Sequence, residues 1–120
     1  MELVHFHVTN DAGETVDYGE LWQRMNLLLV VVDDSPAAAG YIAALRSGFT
    51  ELTAYDTACV ITRDAVEGLG RPCALIADRW GEVHFAITPT AVEDLPRPAE
   101  LIEWLRHVQM QCPECHGEAK

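Results

Sequence analysis

The chain has 120 residues with 49% hydrophobic content, so one domain with a real core is expected, since a chain of this size buries roughly two-thirds of its unfolded surface. Nineteen acidic residues against eight basic ones give a net charge of -11, which argues against nucleic acid and anionic membranes as partners. The longest apolar run, Leu27 to Val32, is too short to span a bilayer, and Met1-Glu2-Leu3 opens no signal peptide, so a cytoplasmic domain is expected.

Leu3 to Val8 alternates and reads as a strand, with Val4, Phe6 and Val8 on one face and His5 and His7 on the other. Asn10 to Gly13 is a turn, and Glu14 to Asp17 returns to close an N-terminal β-hairpin. Tyr18 to Met25 reads as a short helix or turn. The Val-rich run Leu27 to Val32 fits a central strand covered on both faces. After Asp33 and Asp34, Ser35 suits a helix N-cap and Pro36 a first helical residue. The helix that follows carries the stripe Tyr41, Ile42, Leu45, Phe49 and Leu52. Thr57 to Thr62 reads as a second buried strand, parallel to the first through a right-handed crossover. Arg63 to Leu69 is a short helix or loop. Cys73 to Ala77 is a third apolar strand, and Glu82 to Ile87 its hairpin partner across the turn Asp78 to Gly81. Pro89 to Pro98 is a loop within the domain. A last helix, Pro98 to Gln111, has the stripe Leu101, Leu105, Val108 and Cys112.

This order resembles the thioredoxin fold, and within it the peroxiredoxin-like branch of alkyl hydroperoxide reductases and thiol-specific antioxidant proteins. Three stretches carry the resemblance: His5-Phe6-His7 through Val16, Leu27 to Leu45, and Pro72-Cys73-Ala74-Leu75-Ile76-Ala77-Asp78-Arg79-Trp80-Gly81-Glu82-Val83. It implies an α/β domain over residues 1–111, a central mixed sheet flanked by helices, followed by a short tail, 112–120. In proteins of that fold the proline matching Pro72 is usually cis and sits beside the turn that opens the long helix; the sequence alone leaves the state of Pro72 open. Redox-active relatives carry Cys-x-x-Cys or a single Cys at that turn, where a helix N-terminus lowers a thiol's pKa. Here Ser35-Pro36-Ala37-Ala38 stands in its place. A serine hydroxyl does not ionise near neutral pH without a base, and Asp33 and Asp34 would raise the pKa of a neighbouring acid. Peroxidase or dithiol chemistry is therefore expected to be absent from the turn.

In a reducing compartment the four cysteines are expected as free thiols, with metal or redox roles for a close pair, and disulfides are not the main stabiliser. Cys59 sits in an apolar strand and reads as inert core. Cys73 reads either as core or as a thiol facing the groove formed by Ser35, Pro36, Ala38 and Pro72. The close pair is Cys112-Pro113-Glu114-Cys115-His116. It resembles the Cys-Pro-x-Cys knuckle of zinc ribbons, with no second pair to complete a site. Three readings stand together: a zinc site using Cys112 and Cys115 with His116 or His107, or shared across a homodimer; a redox dithiol; and an exposed tail. A helix C-terminus just before Cys112, with Glu114 beside it, disfavours thiolate.

Two functions follow. One is a thiol-redox protein acting on a thiol substrate, with Cys112 and Cys115 as the catalytic pair. The other is a non-catalytic binding or scaffold module that uses the Ser35–Pro72 groove for a protein partner. His5 and His7 have chelating spacing but are two ligands only. His84 reads as a polar-face residue, and Trp80 at a turn tip could anchor a partner. No Gly-rich phosphate loop or nucleophile elbow is present, so no nucleotide-binding or hydrolase function is indicated.

Overall fold

A computed structural model describes residues 2–48 and 56–110. A two-stranded antiparallel hairpin, β1 (His7–Thr9) and β2 (Thr15–Asp17), leads into a 3-10 turn at Tyr18–Glu20. The main sheet holds β3 (Asn26–Val31), β4 (Thr57–Thr62), β5 (Cys73–Ala77) and β6 (Val83–Ile87), in the order β4-β3-β5-β6. Helix α1 (Ala37–Ser47) follows β3, and helix α2 (Pro98–Met110) follows β6.

The six residues of β3 are all buried, the polar Asn26 and then a run of five branched apolar side chains between two covered faces. β3 pairs in parallel with β4 over its whole length, Asn26 opposite Thr57 and Val31 opposite Thr62. On its other side it pairs antiparallel with β5, Leu27 opposite Ala77 and Val31 opposite Cys73. Side chains of period two then divide the core. Leu28, Val30 and Ile76 pack under α1 and α2 against Leu45, Leu101 and Leu105. Leu27, Leu29, Val31 and Leu75 face the N-terminal hairpin, against Phe6, Val8 and Tyr18. Each of these fully buried Leu and Val side chains stabilises the fold by about 1.5–3 kcal/mol.

Two boundaries differ from the pattern of the sequence. The first strand is paired only over His7–Thr9. Upstream, Leu3 N donates to Gly81 O (2.8 Å) and Glu2 bridges Glu82, so this segment runs along the β5–β6 hairpin and leaves Val4 64% exposed. Helix α1 starts at Ala37, with Pro36 in the cap position at φ -60°, and no side chain caps it. Asp33 makes the local bond instead, its Oδ1 accepting from Ser35 N at 2.9 Å. Short polar side chains such as aspartate make this bond to the amide two residues on where a loop turns. Tyr41, Ile42 and Leu45 form the stripe of α1 as expected, while Phe49 and Leu52 lie outside the described residues.

Candidate functional site

β3 and β5 are antiparallel, so the C-terminal end of one lies beside the N-terminal end of the other. That places the turn Asp33–Pro36 next to Arg71–Pro72, whose peptide bond is cis. Arg71 Nε donates to Val32 O at 3.3 Å, joining the two segments. Arg71 and Arg63 flank Asp34, with N···O distances of 3.9 and 3.8 Å to its carboxylate. Asp34 is 85% exposed at the side chain, so these pairs are long, solvated and weak. The Ser35 hydroxyl and amide beside Asp33 hold its carboxyl below the usual carboxylate range. The turn thus presents the side chains of Asp33 and Asp34 together with two guanidinium groups, and no thiol.

The thiols among the described residues lie elsewhere. Cys73 directly follows Pro72, but its side chain is fully buried in the core facing the N-terminal hairpin. Burial pushes its pKa up, with Thr88 opposing. Cys59, on β4, packs beneath α1, and burial with the Asp11 carboxylate pushes its thiol up to about 12. A thiol that high is almost wholly protonated at neutral pH and makes a poor nucleophile. Ala38, in the first turn of α1, is likewise buried, while Pro36 is exposed and Ser35 half-buried at the turn. Cys112, Cys115 and His116 lie outside the described residues. His107 is exposed on α2, edge-on to Trp104 at 5.9 Å between ring centroids.

No group of three or more His, Cys, Asp or Glu placed to hold a metal occurs among the described residues. His5 and His7 part ways: His5 packs edge-on against Tyr18 and Trp22, and His7 faces Asp17 at 3.8 Å. At the opposite end of the sheet the sequence hides a tighter polar cluster. The register between β5 and β6 pairs Ile76 with Phe85 and Ala77 with Val83, leaving His84 as the extra residue of a β-bulge. The bulge turns His84 to Asp78, Nε2 to Oδ2 at 2.9 Å, both side chains largely buried. Asp78 Oδ1 also accepts from Trp80 N and Glu82 N, closing the hairpin and leaving Trp80 48% exposed.

No known family model matches the chain, and no curated protein matches it by sequence. Solved structures do. The reduced 2-Cys peroxiredoxin of Plasmodium vivax superposes with a TM-score of 0.74 at 10% identity, covering 91% of this chain and 80% of that one. The fold is thioredoxin-like. A thiol:disulfide interchange protein of the thioredoxin family from Chlorobium tepidum TLS gives 0.66 at 9% identity over 91% and 96% of the two chains. Peroxidoxin BcpB from Mycobacterium tuberculosis gives 0.64 at 10% identity over 92% and 95%. The likeness extends over nearly the whole domain, including the mixed sheet and the N-terminal hairpin. No described helix is long and apolar enough to cross a membrane.

Proposed function

We propose that the chain is a thiol-redox protein of the thioredoxin fold whose exchange chemistry is carried by Cys112 and Cys115 rather than by the turn that opens α1. The observation that supports this reading is the state of the other two thiols. Cys59 and Cys73 are packed away with raised pKa values, and Ser35-Pro36-Ala37-Ala38 offers no sulfur, so exchange on this fold falls to the remaining pair. In one turnover the Cys112 thiolate attacks a disulfide of a partner protein and expels one partner thiolate, leaving a mixed disulfide. The Cys115 thiolate then attacks the Cys112 sulfur and releases the second partner thiolate. Two electrons pass to the partner, and the Cys112–Cys115 disulfide is returned to the dithiol by a cellular dithiol reductant. Reduction of a protein disulfide by the full chain, with a small dithiol as electron source, tests this. The activity is expected to vanish in Cys112→Ser and in Cys115→Ser and to persist in Cys59→Ala. Activity that survives loss of both tail cysteines overturns it.

The placement of α2 favours a second reading. The helix runs to Met110, two positions in sequence before Cys112, and the negative end of a helix works against a nearby thiolate unless a cation is present. Zinc held by Cys112 and Cys115, with His116 or His107, or between two copies of the chain, meets that condition. The protein is then a binding or scaffold module, and the Ser35–Pro72 groove serves a protein partner. Metal analysis of protein purified without chelator separates the two readings.

A further inference from the structure

The end of α2, from which the tail cysteines follow, and the cis-proline lie at opposite ends of the sheet. Asn26 Nδ2 donates to Gln109 Oε1 at 2.9 Å, which ties the last turn of α2 to the start of β3. By register that start lies beside Ala77, and Ala77 beside Val83 of β6. Pro72 adjoins the other end of β3, about 17 Å along the strand. Cys112 is two residues on from Met110, and two residues of chain reach at most about 7 Å. The surface at hand is the outer edge of β6, the last strand of the sheet. Glu82 O accepts from Asp78 N on the β5 side. On the side away from β5, Glu2 bridges Glu82 in antiparallel pairing and Leu3 N donates to Gly81 O. The start of this edge thus already takes a second segment. Beyond the bulge at His84, Phe85–Ile87 pairs only with β5 among the described residues. β6 holds no proline and no carboxylate, lysine or arginine to discourage pairing. Along its helix-facing side Phe85 meets Trp104 at 5.0 Å between ring centroids, and Ile87 and Trp104 are each 37% exposed.

We propose that the disulfide-bearing partner docks here through an extended segment. The segment adds to β6 as a further strand over Phe85–Ile87, seats an apolar side chain against Ile87 and Trp104, and brings its disulfide to the end of α2. Unpaired strand groups are satisfied by another extended backbone, so the edge fixes the shape of its occupant. A net charge of -11 on every copy works against a second copy of the chain in that place. Trp104 stands about 9 Å along α2 from Met110, so about five extended residues span from its ring to the reach of Cys112. The inference rests on exchange at Cys112 and Cys115, and it sets the docking of the partner apart from the Ser35–Pro72 groove.

The probe is a synthetic peptide of alternating valine and threonine, with a terminal cysteine held as its mixed disulfide with free cysteine. Its counterpart is methylated on alternate backbone nitrogens, which keeps the side chains and blocks strand pairing. Binding is followed by amide chemical shifts in the full chain carrying Cys112→Ser and Cys115→Ser, where no exchange consumes the peptide. The first peptide is expected to shift Phe85, Ala86 and Ile87 saturably, and the methylated one to leave them in place. Turnover of the peptide disulfide by the parent chain is measured with a small dithiol as electron source. Trp104→Ala is expected to raise its KM about tenfold with kcat unchanged. Should that variant lose its fold, Ile87→Lys on the exposed edge gives the same reading. Hydroxyethyl disulfide, which has no backbone to pair, is expected to be reduced alike by parent and variants. No saturable shift at β6, shifts centred on Ser35–Pro72, equal shifts from the methylated peptide, or a free chain that sediments as a dimer with its β6 amides protected overturns the inference. Shifts at β6 with a parent chain that reduces neither disulfide overturn the exchange reading and leave the docking in place.

Discussion

The two ends of the central sheet are built differently. At the end where β3 leaves for α1, the polar groups are exposed and their ion pairs are long. At the other end, around the Asp78–Gly81 turn, the Asp78 and His84 side chains are largely buried and closely bonded. Asp78 alone accepts from two backbone amides and faces His84. Tyr18 stacks on Phe6 with ring centroids 5.2 Å apart and is fully buried beside this turn. Structural need explains the second end. The first end sets the start of α1 beside Pro72, and Ser35-Pro36-Ala37-Ala38 there carries no sulfur. The proximity of these two segments is set by the pairing of β3 with β5 and not by the residues of the turn.

The sharpest way to break this contrast is to remove the packing at the hairpin-tip end. Tyr18→Ala deletes a fully buried aromatic and is expected to cost about 3–5 kcal/mol, read by denaturant unfolding. A loss below 1 kcal/mol would show that this end is as loosely held as the other. Next in size is Gly81→Ala. Gly81 has φ +84°, and an added Cβ would stand 3.3 Å from the Tyr18 hydroxyl and 3.5 Å from Trp22 Nε1. The expected loss is about 2 kcal/mol, measured the same way. At the other end the sign reverses. Gly40→Ala, where a Cβ meets open space, is expected to stabilise by about 0.5–1 kcal/mol and to raise the melting temperature. The smallest effect belongs to Asp33. Its carboxyl titrates lower in the folded chain than unfolded, so its contribution is present above the unfolded value and is lost as pH falls through the folded one. Asp33→Ala is therefore expected to flatten the acid limb of a melting-temperature profile below about pH 4 and to change little at neutral pH.

Much of the fold is written in local pattern. The apolar runs that became β4 and β5 have the ends that Thr57, Thr62, Cys73 and Ala77 mark in the sequence, because a strand buried on both faces tolerates no polar interruption. Features set by contact between distant segments are not written there. Val4 looks like a core residue by alternation, yet the hairpin tip captures the chain through Leu3 and turns Val4 to solvent. Ser35 looks like a cap, but Asp33 holds its amide and the helix opens one residue later. His84 looks like an ordinary strand residue, and only the bulge, which depends on the β5–β6 register, brings it to Asp78. Of the candidate site, the missing sulfur at Ser35–Ala38 and the proximity of Pro72 follow from the family-like pattern. The guanidinium pair around Asp34 needs the folded chain.

The central claim is that the thiol chemistry resides in Cys112 and Cys115. It is tested most directly by the mass of the intact protein purified without chelator or reductant, with bound metal measured on the same sample. The account predicts a metal-free chain two hydrogens lighter than the reduced form, with the bond mapped to Cys112 and Cys115 and opened by a dithiol. Zinc at a half or whole equivalent per chain, lost on Cys112→Ser, would contradict it and make the tail a metal site.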